Sequence, residues 1–133
     1  MLHRMLMVCL GLLALTALQA DDKDAAKKEL EKFQGEWKLV SNEDITIKFE
    51  GDKYTFSAGP QSEKGTVKLN PSKKPAHLDF DITEGDDKGK TQVGIYEWKN
   101  ATLIITLAVA GEKERPAKIG EGEVQFEFEK VKK

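Results

Sequence analysis

The sequence predicts an all-β fold: a small eight-stranded antiparallel up-and-down barrel preceded by one short helix. Three observations predict it. After Gly35 the apolar period changes from helical to two and stays there through eight short segments. Nearly all of these segments are joined by tight, polar, Gly- or Pro-containing turns. One parity of most segments is apolar and the other polar, so the sheet has one dry and one wet face. Closing such a sheet on itself removes its exposed edges, which favours a barrel. Two stacked sheets are the competing architecture.

The helix is expected over Asp24–Phe33. An aspartate among Asp21, Asp22 and Asp24 can cap it, and Ala25 to Leu30 is a run of good helix formers. Leu30 and Phe33 lie three apart and share a face that can dock on a core. Gly35 ends the helix. The first strand is expected over Glu36–Ser41. Ile45–Glu50 and Tyr54–Ala58 follow as a hairpin around Gly51-Asp52-Lys53, with Ile45, Ile47, Phe49, Tyr54 and Phe56 inward. Thr66–Asn70 carries Val67 and Leu69 inward. Past the turn from Asn70 to Pro75, Ala76–Ile82 alternates cleanly, with Leu78, Phe80 and Ile82 inward and His77, Asp79 and Asp81 outward. Thr83–Lys90 reads as a polar loop. Thr91–Trp98 and Thr102–Leu107 form a second hairpin around Lys99-Asn100-Ala101, with Leu103, Ile105 and Leu107 inward and Ile104 and Tyr96 outward as an apolar outer patch. The long segment Ala108 to Glu123 precedes the last strand, Val124–Lys130, with Val124, Phe126 and Phe128 inward.

Ahead of this domain the N-terminus reads as a cleavable export signal. Arg4 precedes an apolar run from Met5 to Leu18, which ends at Leu18-Gln19-Ala20 and is followed by Asp21-Asp22-Lys23. The run is shorter than the roughly 20 residues of a spanning helix. Residues 1–20 are therefore expected to be removed, leaving 21–133 as one domain that works in the periplasm or outside the cell, with no membrane insertion after cleavage. The one cysteine, Cys9, would leave with the signal. Leu6-Met7-Val8 lacks the small residues of a lipoprotein site, so neither a lipid anchor nor a disulfide is expected.

Charge excludes some function classes. The chain carries 21 basic and 23 acidic residues, a net charge of −2, and losing Arg4 makes it one unit more negative. Neither sign forms a long block, and no basic face with aromatic platforms suggests nucleic acid. Lys130, Lys132 and Lys133 read as a short solvated tail.

No catalytic, cofactor or metal constellation stands out, and the domain is read as a non-enzyme. Downstream of the signal His77 is the one histidine, outward by parity, with neither a second histidine nor a cysteine to build a metal site. Asp79, Asp81, Glu84, Asp86 and Asp87 form the densest acidic group, but their register does not match an EF-hand loop, and they read as a solvated strand face and loop. The inward set contains almost no polar atom beyond the Tyr54 hydroxyl. A barrel of this size either fills with side chains or holds one small ligand. The candidate barrel-end or ligand-lining residues are Trp37, Tyr54, Phe56, Phe80, Arg115 and Phe126.

Gly35-Glu36-Trp37, set between helix and first strand, resembles the G-x-W signature of lipocalins, whose tryptophan packs at the closed end of an eight-stranded barrel. The stretch from Leu30 to Ser41 is similar to the opening of a family of small lipocalin-like exported proteins from planctomycete bacteria. Gly51-Asp52-Lys53-Tyr54-Thr55, Asn70 to Pro75, Gly94-Ile95-Tyr96-Glu97 and Glu114-Arg115-Pro116 resemble its later landmarks in order. The family is an uncharacterised domain, so the resemblance implies a lipocalin-like fold and brings no catalytic or ligand residues. In lipocalins an arginine from the last-strand region packs on the signature tryptophan, and Arg115 is the candidate for that place. This chain departs from the pattern between the first two strands, where Ser41-Asn42-Glu43-Asp44 stands in place of a longer segment; either the barrel mouth is more open or the barrel is too small to need a lid. Two functions follow as expectations: a monomeric binder of a small apolar molecule inside the barrel, or a filled-barrel structural or protein-interaction module of the cell envelope.

Overall fold

The computed structural model describes residues 23–131. The expected export signal, Cys9, Lys132 and Lys133 lie outside the described residues. Helix α1 spans residues 23–33. The eight strands are β1 (Gly35–Leu39), β2 (Asn42–Glu50), β3 (Lys53–Ala58), β4 (Gln61–Asn70), β5 (Ala76–Glu84), β6 (Thr91–Lys99), β7 (Thr102–Leu107) and β8 (Val124–Lys130). They form a closed barrel in sequence order, every neighbouring pair antiparallel. β1 closes it against β8 through Trp37↔Lys130, Lys38↔Glu129 and Leu39↔Phe128. The all-β barrel with a short helix is thus the observed architecture, and the stacked-sheet alternative is not.

The chain order gives the barrel two different ends. α1, the β2–β3 and β6–β7 hairpins and the β4–β5 turn lie at one end. The β1–β2, β3–β4, β5–β6 and β7–β8 connections lie at the other. The first end is filled by α1. Phe33, at its last turn, is 0 % exposed and meets the rings of Phe49, Tyr96 and Trp98 edge-on at 5.2, 5.1 and 5.3 Å. Its carbonyl accepts the Trp37 indole N–H at 2.7 Å, which satisfies a helix-end carbonyl that has no intrahelical partner. One turn earlier, the Glu29 carboxylate accepts from the Tyr96 hydroxyl at 2.8 Å and the Trp98 indole at 3.1 Å. The Gln34 side chain then clamps the β2–β3 hairpin, donating to the Gly51 carbonyl and accepting from the Gly51 amide. A short helix is marginal alone, so α1 owes its place to this plug.

β4 is longer than the alternation predicts. The ladder with β3 runs back through Tyr54↔Gly65 and Phe56↔Glu63 to Ala58↔Gln61, joined by a two-residue turn at Gly59-Pro60. Gln61 to Gly65 holds no apolar residue, so nothing in its hydropathy marks a strand. β6 corrects the reading of Tyr96. Ala76↔Tyr96 and Tyr96↔Ile105 put it opposite inward residues, and it is buried in the core rather than on an outer patch. Both parities of β6 carry apolar residues, and pairing, not alternation, decides which one faces in.

The outward residues Ile95, Ile104 and Thr106 are buried as well. The β7–β8 connection lies against this outer face. Ala108 and Gly111 donate to the Val93 and Thr91 carbonyls, and the Gly120 amide donates to the Thr106 hydroxyl. Arg115 pins the connection: its guanidinium donates to Asp79 at 2.7 Å and to the backbone carbonyls of Gly94 at 2.8 Å and Leu78 at 3.2 Å. Charge-assisted bonds to partly buried acceptors are each worth about 1.5–3 kcal/mol. Arg115→Ala is therefore expected to lower the unfolding free energy by about 1–3 kcal/mol. Arg115→Lys is expected to restore little, since an ammonium lacks the planar fork. Denaturant midpoints of both variants measure this; a change below about 0.5 kcal/mol would contradict the pin.

Candidate functional site

The inward side chains fill the α1 end and leave the other end hollow. A cavity of about 190 Å³ lies there, lined among others by Ile47, Phe56, Phe80, Ile105, Phe126 and Phe128. The aromatic walls are mutually braced: Phe56 and Phe126 sit 5.5 Å apart, Phe126 and Phe128 5.3 Å, and Tyr54 and Phe80 4.6 Å. An apolar cavity of about 150 Å³ takes a benzene molecule, whereas drug-sized ligands need roughly 300 Å³ or more. This space accepts one ring or a short branched chain.

Four polar groups converge on the same cavity: the Tyr54 hydroxyl, Glu63, Asp87 and Gln92. Tyr54 donates to Glu63 at 3.0 Å. Gln92 donates to the Ala108 carbonyl at 2.9 Å, which ties the rim to the β7–β8 connection. Asp87, in the β5–β6 loop, pairs with the exposed Lys90 at 3.4 Å. Burial, helped by the negative charge and bond of Glu63, raises the Tyr54 hydroxyl far above the ordinary phenol range, so it stays a donor. Burial, and then the charge of Asp87, raises the Glu63 carboxyl, while the Tyr54 bond pulls the other way.

Glu63 and Glu29 couple folding to pH with opposite signs. Glu63 has a folded pKa above its unfolded one, so the native state gains stability as pH falls through that folded value, and ionisation costs stability at neutral pH. For Glu29 burial raises the carboxyl, but the bonds from Tyr96, Trp98 and Lys32 outweigh it and the net shift is downward. Its contribution is complete above the unfolded value and is lost as pH falls through the folded one. Glu63→Gln keeps an acceptor for Tyr54 without the charge. It is expected to be more stable than wild type near pH 7, the advantage shrinking on acidification toward pH 4. Paired urea melts across that range test this, and a pH-independent difference would contradict it.

Of the residues singled out from the sequence, Tyr54, Phe56, Phe80 and Phe126 line the cavity. Trp37 does not. It packs at the closed end, tilted against Trp98 at 5.7 Å. Arg115 lies outside the barrel wall on Asp79 and does not cover Trp37. The cation over the Trp37 ring is Lys130, at 5.5 Å, with its ammonium also donating to the Gln34 carbonyl at 2.7 Å. Lys130 is exposed, yet these contacts tie it to the barrel end. Gly35 makes room for it: a Cβ there would come within 2.9 Å of the lysine chain, and its φ of +106° disfavours other residues. His77 is half-buried on the outer face; burial, then Arg115 and Lys73, lower its pKa.

The structure adds Glu63, Asp87 and Gln92 to the lining, which sequence reasoning left apolar. For Glu63 a signal exists: the inward parity of Leu69 and Val67 projects back through Gly65 to position 63. For Asp87 there is none, since a loop residue has no parity. Among the described residues, no three of His, Cys, Asp or Glu come together in a way that could hold a metal ion. The chain matches no protein-family model, no curated protein and no solved structure.

Proposed function

We propose that the chain is an exported, monomeric, lipocalin-like binder that holds one small, largely apolar molecule in the hollow half of its barrel. The observation that carries this reading is the division of the interior: α1 and the aromatic cluster fill one end, and an aromatic-walled cavity of about 190 Å³ occupies the other. The apolar lining with a few convergent polar groups is the usual make-up of a small-molecule site. The N-terminal pattern of a basic residue, an apolar run and a small residue supports export, and the G-x-W opening supports the lipocalin-like assignment. The site is assigned no catalytic step.

Thermal unfolding with and without toluene tests the reading. A ligand that binds only the native state raises its stability by RT ln(1 + [L]/Kd). Toluene is expected to raise the Tm of the wild type in a concentration-dependent way. Val124→Trp, which puts an indole ring into the cavity in place of a small side chain, is expected to remain folded and lose the shift. A wild-type Tm unmoved by toluene and by every other single-ring compound, charged or neutral, would favour a filled-barrel interaction module instead.

A further inference from the structure

Resting on the reading of this cavity as a ligand site, we propose that its occupant is a small amphipathic cation, an amine on a compact apolar or aromatic body, with the ammonium at Glu63 and the body against Phe56, Phe80 and Phe126. The cavity is large enough for one ring and a short arm, so shape alone leaves many candidates. Charge narrows them. The lining holds two carboxylates, Glu63 and Asp87, and no lysine, arginine or histidine.

The two carboxylates are not equivalent. Asp87 has Lys90 on its exposed side. Glu63 has no cation within ion-pair distance among the described residues; its one side-chain partner is the Tyr54 hydroxyl. Its sequence neighbour Lys64 has the opposite strand parity, is exposed, and lines the outer face with Lys48 and Thr66. A carboxylate can accept about four hydrogen bonds, and a partly buried one without a counter-charge is costly. The upward displacement of the Glu63 carboxyl by burial and by Asp87 expresses the same deficit. An incoming ammonium supplies the missing charge and donors together. An anion meets two negative groups, and a neutral molecule leaves the deficit in place. The aromatic rings beside Glu63 suit the apolar body and also tolerate an adjacent cation.

Calorimetric titration with benzylamine, benzyl alcohol and benzoate near pH 7, alongside toluene, tests this. Benzylamine is expected to bind roughly tenfold or more tightly than benzyl alcohol, as a charge-assisted bond exceeds a neutral one, and benzoate not measurably. Glu63→Gln is expected to bring benzylamine down to the level of benzyl alcohol while toluene still binds, which also shows the variant to be folded. Equal binding of benzylamine and benzyl alcohol, or an amine preference that survives Glu63→Gln, overturns the proposal and leaves the cavity as a neutral apolar site provided toluene binds. Failure of all four compounds overturns the ligand-binding reading itself.

Discussion

Phe33→Ala is expected to lower the unfolding free energy by about 3–5 kcal/mol, the range for removing a buried aromatic ring. The ring is 0 % exposed and is enclosed by Phe49 from β2 and by Tyr96 and Trp98 from β6. The loss is not confined to transfer of the ring. Without it, α1 is held by Leu30 and by the Glu29 and Gln34 bonds, so the Phe33 carbonyl loses its fixed position over the Trp37 indole. Urea unfolding followed by tryptophan fluorescence measures both effects, since Trp37 and Trp98 report the plug directly. A midpoint shift worth less than about 1 kcal/mol would mean that α1 is an appendage and not a plug. Phe33→Leu, which keeps much of the volume, is expected to lose less than half as much.

The second large effect concerns Gly65. A Cβ at this position would run into the Asp81 carbonyl and come within 2.9 Å of the Tyr54 ring. A backbone carbonyl in a barrel strand has little freedom to retreat. The ladder already shifts register between Lys64 and Gly65, where β4 adapts to β5. Overpacking of this kind costs about 1–3 kcal/mol or more, and Gly65→Ala is expected at the upper end. It is also expected to displace Tyr54 and so loosen the bond to Glu63 at the cavity. Gly51→Ala is the control: its φ is +63° but a Cβ there meets nothing within 4 Å, so about 1 kcal/mol of backbone strain is the whole expected cost. Equal destabilisation by the two substitutions would contradict the steric account of Gly65.

The barrel was legible because it rests on alternation, and alternation survives wherever one face is dry and the other wet. β7 and β8 begin and end where the pattern places them, and α1 starts one residue before the expected Asp24. Legibility fails where that contrast fails. The first half of β4 is polar on both faces because its inward residues, Gly65 and Glu63, face a tyrosine ring and a cavity instead of a packed core. β6 is apolar on both faces because the β7–β8 connection covers its outside, so alternation alone does not reveal that Tyr96 faces the core. The candidate site follows the same rule. Its aromatic walls lie on readable strands; its acidic groups lie on a strand without an apolar signature and in a loop. Lys130, not Arg115, lies over the Trp37 ring, and charge says nothing about which of two cations reaches a given ring. Strand register does: Trp37↔Lys130 is a closing pair of the barrel.

The central claim is that the barrel is filled at the α1 end and hollow at the other. A crystal of the domain pressurised with xenon tests it most directly, because xenon settles against apolar walls wherever the interior leaves room for it. The account predicts a xenon atom between Phe56, Phe80 and Phe126, and none among Phe33, Trp37 and Trp98. Xenon absent from the interior, with Phe126 and Phe128 rotated to close the space, would contradict it.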